Sequence, residues 1–222
     1  MSYFINPFKL FFHRDDHLFK LHRAERIYNF YNLFFLLLFL TTLTYIATSW
    51  IGLGTDPLSA NATEYTRIEY ELRKVWFLLG RVIYAVLFAL FLLLVTPFFF
   101  WLFNTVSYKK LIIIQMNVLL VMLVERLTWI PFMVYAGLDW YVSPFSFGVL
   151  ASYFTELDWV IYFFGACSIF QLWIIWYQVK CVTYLTSTKR GWVIFQVIIW
   201  HIILWSGASL LAHYDSFLIS IL

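Results

Sequence analysis

Glu125 and Arg126 stand side by side within the almost wholly apolar run from 111 to 136. Ionisable groups placed so deep are costly in lipid and face protein, water or a partner charge. Two readings stay open for the pair: a polar clamp between helices, or a proton or ligand site on a path. Successive helical residues point about 100° apart, so the two cannot face each other and each must reach another helix or snorkel outward. His201 and His213, twelve residues apart, are separated by about 18 Å along a helix and cannot share one metal or haem iron. Gln115, Asn117, Gln171, Gln178 and Gln196 lie scattered through apolar runs, where such side chains hydrogen-bond across helices. The chain carries no HExxH pattern, nucleophile elbow, glycine-rich phosphate loop or paired carboxylates within those runs. Cys167 and Cys181 form neither a disulfide framework nor a thiolate metal pattern. A non-enzymatic protein with no cofactor, metal or nucleic-acid partner is expected.

The elements that must position these residues are legible from hydropathy. Five stretches, near 28–50, 82–103, 111–136, 159–179 and 192–212, are almost free of charge. Each is long enough to cross a ~30 Å hydrocarbon layer as a helix of about 20 residues. The composition is 63% hydrophobic, 23% aromatic and 12% charged, against about 25% charged in ordinary soluble domains. Backbone groups in lipid must pair within their own segment, and the runs show no strand-like alternation. The expected fold is all-α: a bundle of five transmembrane helices over 28–222, preceded by an interfacial amphipathic helix over the cytoplasmic segment 1–27.

Charge sorts by side once the spans are drawn. With the N-terminus cytoplasmic, that side holds Lys9, Arg14, Lys20, Arg23, Arg26, Lys109, Lys110, Lys180, Lys189 and Arg190 against Asp15, Asp16 and Glu25. The other side is net acidic. Retention of bases on the cytoplasmic side predicts the N-terminus in and the C-terminus out. In 1–27, Lys9, Arg14, Lys20, Arg23 and Arg26 alternate with Phe and Leu, a pattern suited to the headgroup boundary. Ile68, Leu72, Val75 and Leu79 share one helical face, so the second span starts as a helix outside the membrane. Pro97 removes a backbone donor near that span's inner end. The aromatic stretch 138–157, which holds Pro144 and Gly148 and no base, is expected to lie against the outer surface or dip into it.

Five spans after a cytoplasmic amphipathic segment, the SYKKL turn from Ser107 to Leu111 and the STKRGW turn from Ser187 to Trp192 together resemble the Yip family of small membrane proteins. In eukaryotes the resemblance implies Rab GTPase binding and vesicle traffic; in bacteria it implies accessory subunits of ABC transporters. The acidic, glycine- and tyrosine-containing signature of the eukaryotic branch is missing from the basic segment 1–27. The expected function is therefore an accessory or interaction protein of a bacterial plasma membrane. It would contact lipid and other membrane subunits, as part of a transporter or an export or stress complex, and could form oligomers. The alternative is a small transporter or channel-like oligomer whose path runs past Glu125 and Arg126.

Overall fold

The computed structural model describes residues 2–5, 14–52, 55 and 65–221. Four helices among them are long and apolar enough to cross a membrane: α2 (Phe30–Trp50), α3 (Arg67–Phe103), α4 (Tyr108–Ala136) and α8 (Arg190–Ile221, apolar over Arg190–Tyr214). The chain is an all-α, multi-pass integral membrane protein. In α2 the hydroxyls of Thr41, Thr42, Thr44 and Ser49 each donate to the carbonyl four residues back. This satisfies them without a partner, as lipid requires.

Helix α3 begins with a capping box. The Thr66 hydroxyl accepts from the Glu69 N–H, and the Glu69 carboxylate accepts from the Thr66 N–H at 3.0 Å, pairing two donors that every helix start leaves free. The helix is interrupted by one π-helical turn, Phe91–Val95, directly before Thr96 and Pro97. The Tyr108 hydroxyl donates to the Leu94 carbonyl at 2.8 Å, pairing one acceptor within this irregular stretch. Tyr45 of α2 lies 5.5 Å from Tyr84 and 6.0 Å from Phe88 of α3. Five residues beyond Tyr45, α2 ends at Trp50, so in this antiparallel register the part of α3 before Leu79 runs past its neighbour.

Helix α4 is the axis of the bundle, buried at every position from Leu111 to Leu119. It packs against α2, the 91–103 part of α3, and α7.

The fourth predicted span is not one helix. Residues 158–185 form α6 (Asp158–Ala166) and α7 (Ile169–Leu185), with Cys167 and Ser168 in extended backbone between them. The 139–157 segment, containing a 3-10 turn (Trp140–Val142) and α5 (Gly148–Ser152), comes up against that break. Phe147 N–H donates to the Cys167 carbonyl and Ile169 N–H to the Phe145 carbonyl, both at 3.0 Å. The interruption is thus paired by a second irregular strand, which is how non-helical backbone survives beside lipid. Gly148 and Gly165 permit the approach. A Cβ on Gly148 would sit 1.9 Å from the Tyr141 carbonyl oxygen, and one on Gly165 would sit 2.8 Å from the Tyr141 Cα.

The N-terminal segment also departs from expectation. In place of one interfacial helix, the described residues form strand β1 (Ser2–Phe4), helix α1 (Arg14–Arg23) and strand β2 (Arg26–Tyr28), with β1 and β2 parallel. Tyr3, Ile5, Leu18 and Leu21 are buried in the main core, so these apolar side chains face protein rather than lipid. The Lys110 ammonium donates to the His22 carbonyl at 2.6 Å, tying this collar to the start of α4. Burial pushes the Tyr3 hydroxyl far above its ordinary range.

Candidate functional site: polar ties across the bundle

Glu125 lies on α4 at the level of the helix break, only 4% exposed. One carboxylate oxygen accepts from the Ser168 hydroxyl; the other accepts from the Gln171 amide at 3.1 Å. Ser168 is itself the N-cap of α7, its oxygen accepting from the Gln171 N–H at 3.1 Å. The carboxylate therefore sits beside the N-terminal end of α7, held by that helix's cap and first-turn side chains. Leu111 is about 21 Å away along α4, which puts the cluster in the farther half of a ~30 Å layer that begins there.

Arg126 turns to a different neighbour. Its guanidinium carbon is 3.8 Å from the Tyr45 ring centre and 6.0 Å from that of Trp129, and Nη2 reaches the Thr48 hydroxyl at 3.4 Å. Stacking on aromatic faces suits a delocalised cation with weak hydration. The adjacent pair thus splits: Glu125 holds α4 to the α6–α7 break, and Arg126 holds α4 to α2.

Below them the scattered amides make further ties. Asn117 donates to the Tyr177 hydroxyl at 2.7 Å. Gln178 donates to Gln115 at 3.1 Å, and His201 Nε2 lies 2.9 Å from Gln178 Oε1, linking α4, α7 and α8. Asn104 donates to Gln196 at 2.7 Å, and the Trp200 indole to Thr96 at 3.2 Å. His201 and His213 do lie on one helix. Replacing Asn104 and Gln196 by alanine singly and together should give a coupling of about 0.6 kcal/mol, the average for interhelical bonds in membranes. Unfolding in mixed micelles measures it, and strictly additive losses would show that the contact carries nothing.

Of the predicted interface bases, Lys20, Arg23 and Arg26 are exposed, with Arg23 stacked 4.1 Å over Phe19. Arg14 opens α1, and Lys9 lies outside the described residues. A cleft of about 270 Å³ opens next to them, lined by Glu25, Asn29, Asn32 and Lys109 among others.

Hydropathy reading missed Ser168, Thr48 and Tyr45 as partners of the charged pair. One signal was present: Ser168-Ile169-Phe170-Gln171 fits the S-x-x-Q pattern of a helix start, lying inside what reads as a continuous span. No family model, curated protein or solved structure matches this chain.

Proposed function

We propose that this chain is a non-enzymatic accessory protein of a bacterial plasma membrane that binds other membrane subunits, in the manner of the Yip-like partners of ABC transporters or export complexes. The observation that carries this reading is the outer part of α3. It runs on past the end of α2 with Ile68, Leu72, Val75, Trp76 and Leu79 exposed, an apolar face that no described element covers. A contiguous exposed apolar face rimmed by polar residues marks an interaction site. Glu125 and Arg126 fit the same reading, because both Glu125 carboxylate oxygens accept from Ser168 and Gln171 and the Arg126 guanidinium stacks on Tyr45, each holding one helix to another. Purification in mild detergent tests it: a stoichiometric membrane partner is expected, and a lone chain under all extraction conditions would overturn it.

In this reading α6 and α7 together make a fifth, discontinuous crossing, the basic collar lies at the cytoplasmic boundary, and the C-terminus is outside. Reporter fusions after residues 106, 188 and 222 should report cytoplasmic, cytoplasmic and external positions. A cytoplasmic C-terminus would remove the fifth crossing.

A second reading, a small transporter or channel-like oligomer, draws support from the break itself, since discontinuous helices often surround substrate sites at membrane depth. Flux into reconstituted vesicles, lost on Glu125→Gln, would favour it over the first.

A further inference from the structure

We propose that Arg126, with Arg81 beside it, binds the phosphate of one anionic phospholipid where α2 lies between α3 and α4, in the leaflet far from the basic collar. The site is independent of any protein partner. A guanidinium carries five N–H donors and no acceptor. Among the described residues the Thr48 hydroxyl is the single acceptor that reaches the Arg126 side chain, at 3.4 Å from Nη2, and the buried Nε has no partner. Thr48 itself donates to the Tyr45 carbonyl at 3.1 Å, which fixes it in place. The guanidinium carbon lies 3.8 Å from the Tyr45 ring centre, close enough for face-to-face stacking, and that contact leaves the N–H edge open.

The charge of Arg126 is likewise unmatched. Glu125, its neighbour in sequence, gives its carboxylate to Ser168 and Gln171, and no carboxylate among the described residues pairs with Arg126. A cation at membrane depth requires an anion or water. Arg126 lies about 22 Å beyond Leu111 along α4, leaving about 8 Å to the far edge of a ~30 Å layer, a gap that a long side chain narrows by snorkelling. Trp50, 86% exposed at the end of α2, and Trp129, three residues beyond Arg126, lie on that same side. Tryptophan favours the headgroup boundary, where lipid phosphates reside, and the guanidinium fork matches phosphate oxygens two at a time.

Arg81 of α3 supplies a second cation. It is held 5.0 Å over Phe77, and it acts electrostatically on the same Tyr45 hydroxyl as Arg126. A zwitterionic headgroup would set its ammonium beside these two guanidiniums, and juxtaposed like charges are unfavourable; a headgroup of net negative charge avoids this. Leu87 and Phe91 follow Tyr84 along one helical face toward the membrane middle and are exposed. They offer a path for an acyl chain, which distinguishes a lipid from free phosphate.

The test uses the full chain in a nonionic detergent, followed by native mass spectrometry at rising ratios of dioleoylphosphatidylglycerol, dioleoylphosphatidylcholine or inorganic phosphate. The first phosphatidylglycerol adduct should saturate at a ratio about tenfold lower than the phosphatidylcholine adduct. Arg126→Gln and Arg81→Gln should each weaken it about fivefold, the effect of one base near a lipid phosphate. Lys189→Gln with Arg190→Gln, an equal or larger loss of charge at the opposite end of the bundle, should leave it unchanged. Arg81→Gln does not touch the contact between α2 and α4, so it decides the matter if Arg126→Gln fails to fold. Equal saturation by the two lipids, or a first adduct indifferent to the arginine variants, would overturn the proposal and leave Arg126 satisfied by Tyr45, Trp129 and water. Saturable binding of inorganic phosphate in place of lipid, lost on Arg81→Gln, would overturn it in favour of a free anion.

Discussion

Gly148→Ala is expected to lower unfolding free energy by about 3 kcal/mol, the upper range for forcing atoms into a packed site. The added Cβ would lie 1.9 Å from the Tyr141 carbonyl oxygen and 2.9 Å from the Gly165 Cα. Both obstacles are backbone, so no side-chain rotation relieves the clash. The segment 139–157 must then withdraw from the α6–α7 break, and the hydrogen bonds of Phe147 and Ile169 across it are lost with it. Gly80 and Gly207 provide the contrast, since a Cβ at either meets nothing within 4 Å. Alanine at those helical positions should be neutral or stabilise by about 0.5–1 kcal/mol. Thermal unfolding of the three variants in one detergent separates the cases. If Gly148→Ala melts together with Gly80→Ala, the close approach of the two segments is not what holds the break.

Glu125→Leu is expected to cost about 2–3 kcal/mol, while Glu125→Gln should cost about 1 kcal/mol or less. Leucine leaves the Ser168 hydroxyl and the Gln171 amide as buried donors without an acceptor, and the expense of stranded partners exceeds the net gain of the bonds themselves. Glutamine keeps one acceptor oxygen for the Gln171 amide, and its NH2 can donate to the Ser168 hydroxyl, which accepts as well as donates. Equilibrium unfolding in mixed micelles provides the measurement. Equal losses for the two variants would mean that Glu125 is held by something other than Ser168 and Gln171. A Glu125→Gln protein that folds normally yet loses its phenotype would instead show that the ionised carboxylate has a chemical role, which is the outcome the transport reading requires.

Much of this architecture follows from where charge is absent. Helices α2, α4 and α8 and the inner part of α3 coincide with four of the five uncharged runs, because hydrocarbon permits few alternatives to a self-paired helix of sufficient length. The amphipathic start of α3 was legible for the same kind of reason: residues 68, 72, 75 and 79 alternate at helical spacing against a charged face. The break at 167–168 was not, since Cys167 and Ser168 hardly alter local hydropathy, and its stability comes from Phe145 and Phe147, about 20 residues away in sequence. The collar was misread because alternating apolar and basic residues suit a lipid boundary and a protein groove equally well. Burial of Leu18 and Leu21 against the bundle decides between them. For the charged pair, the roughly 100° offset between neighbouring residues was enough to anticipate two separate partners, but long-range proximity alone determines that these are Ser168 and Gln171 for one and Tyr45 and Thr48 for the other.

The π-helical turn at Phe91–Val95 sets the compass bearing of everything above it. Such a turn absorbs one extra residue in an α-helix, so rewinding those five residues as regular α-helix without shortening the chain would swing the outer rod by about 100° relative to its inner half. The inner half, anchored by Trp200 against Phe91 and Phe99, would stay in place. Tyr84 would rotate away from Tyr45, and the projecting end would aim its oily edge at a different azimuth. One backbone irregularity near the bilayer's middle thereby governs what the protein can greet at its far tip.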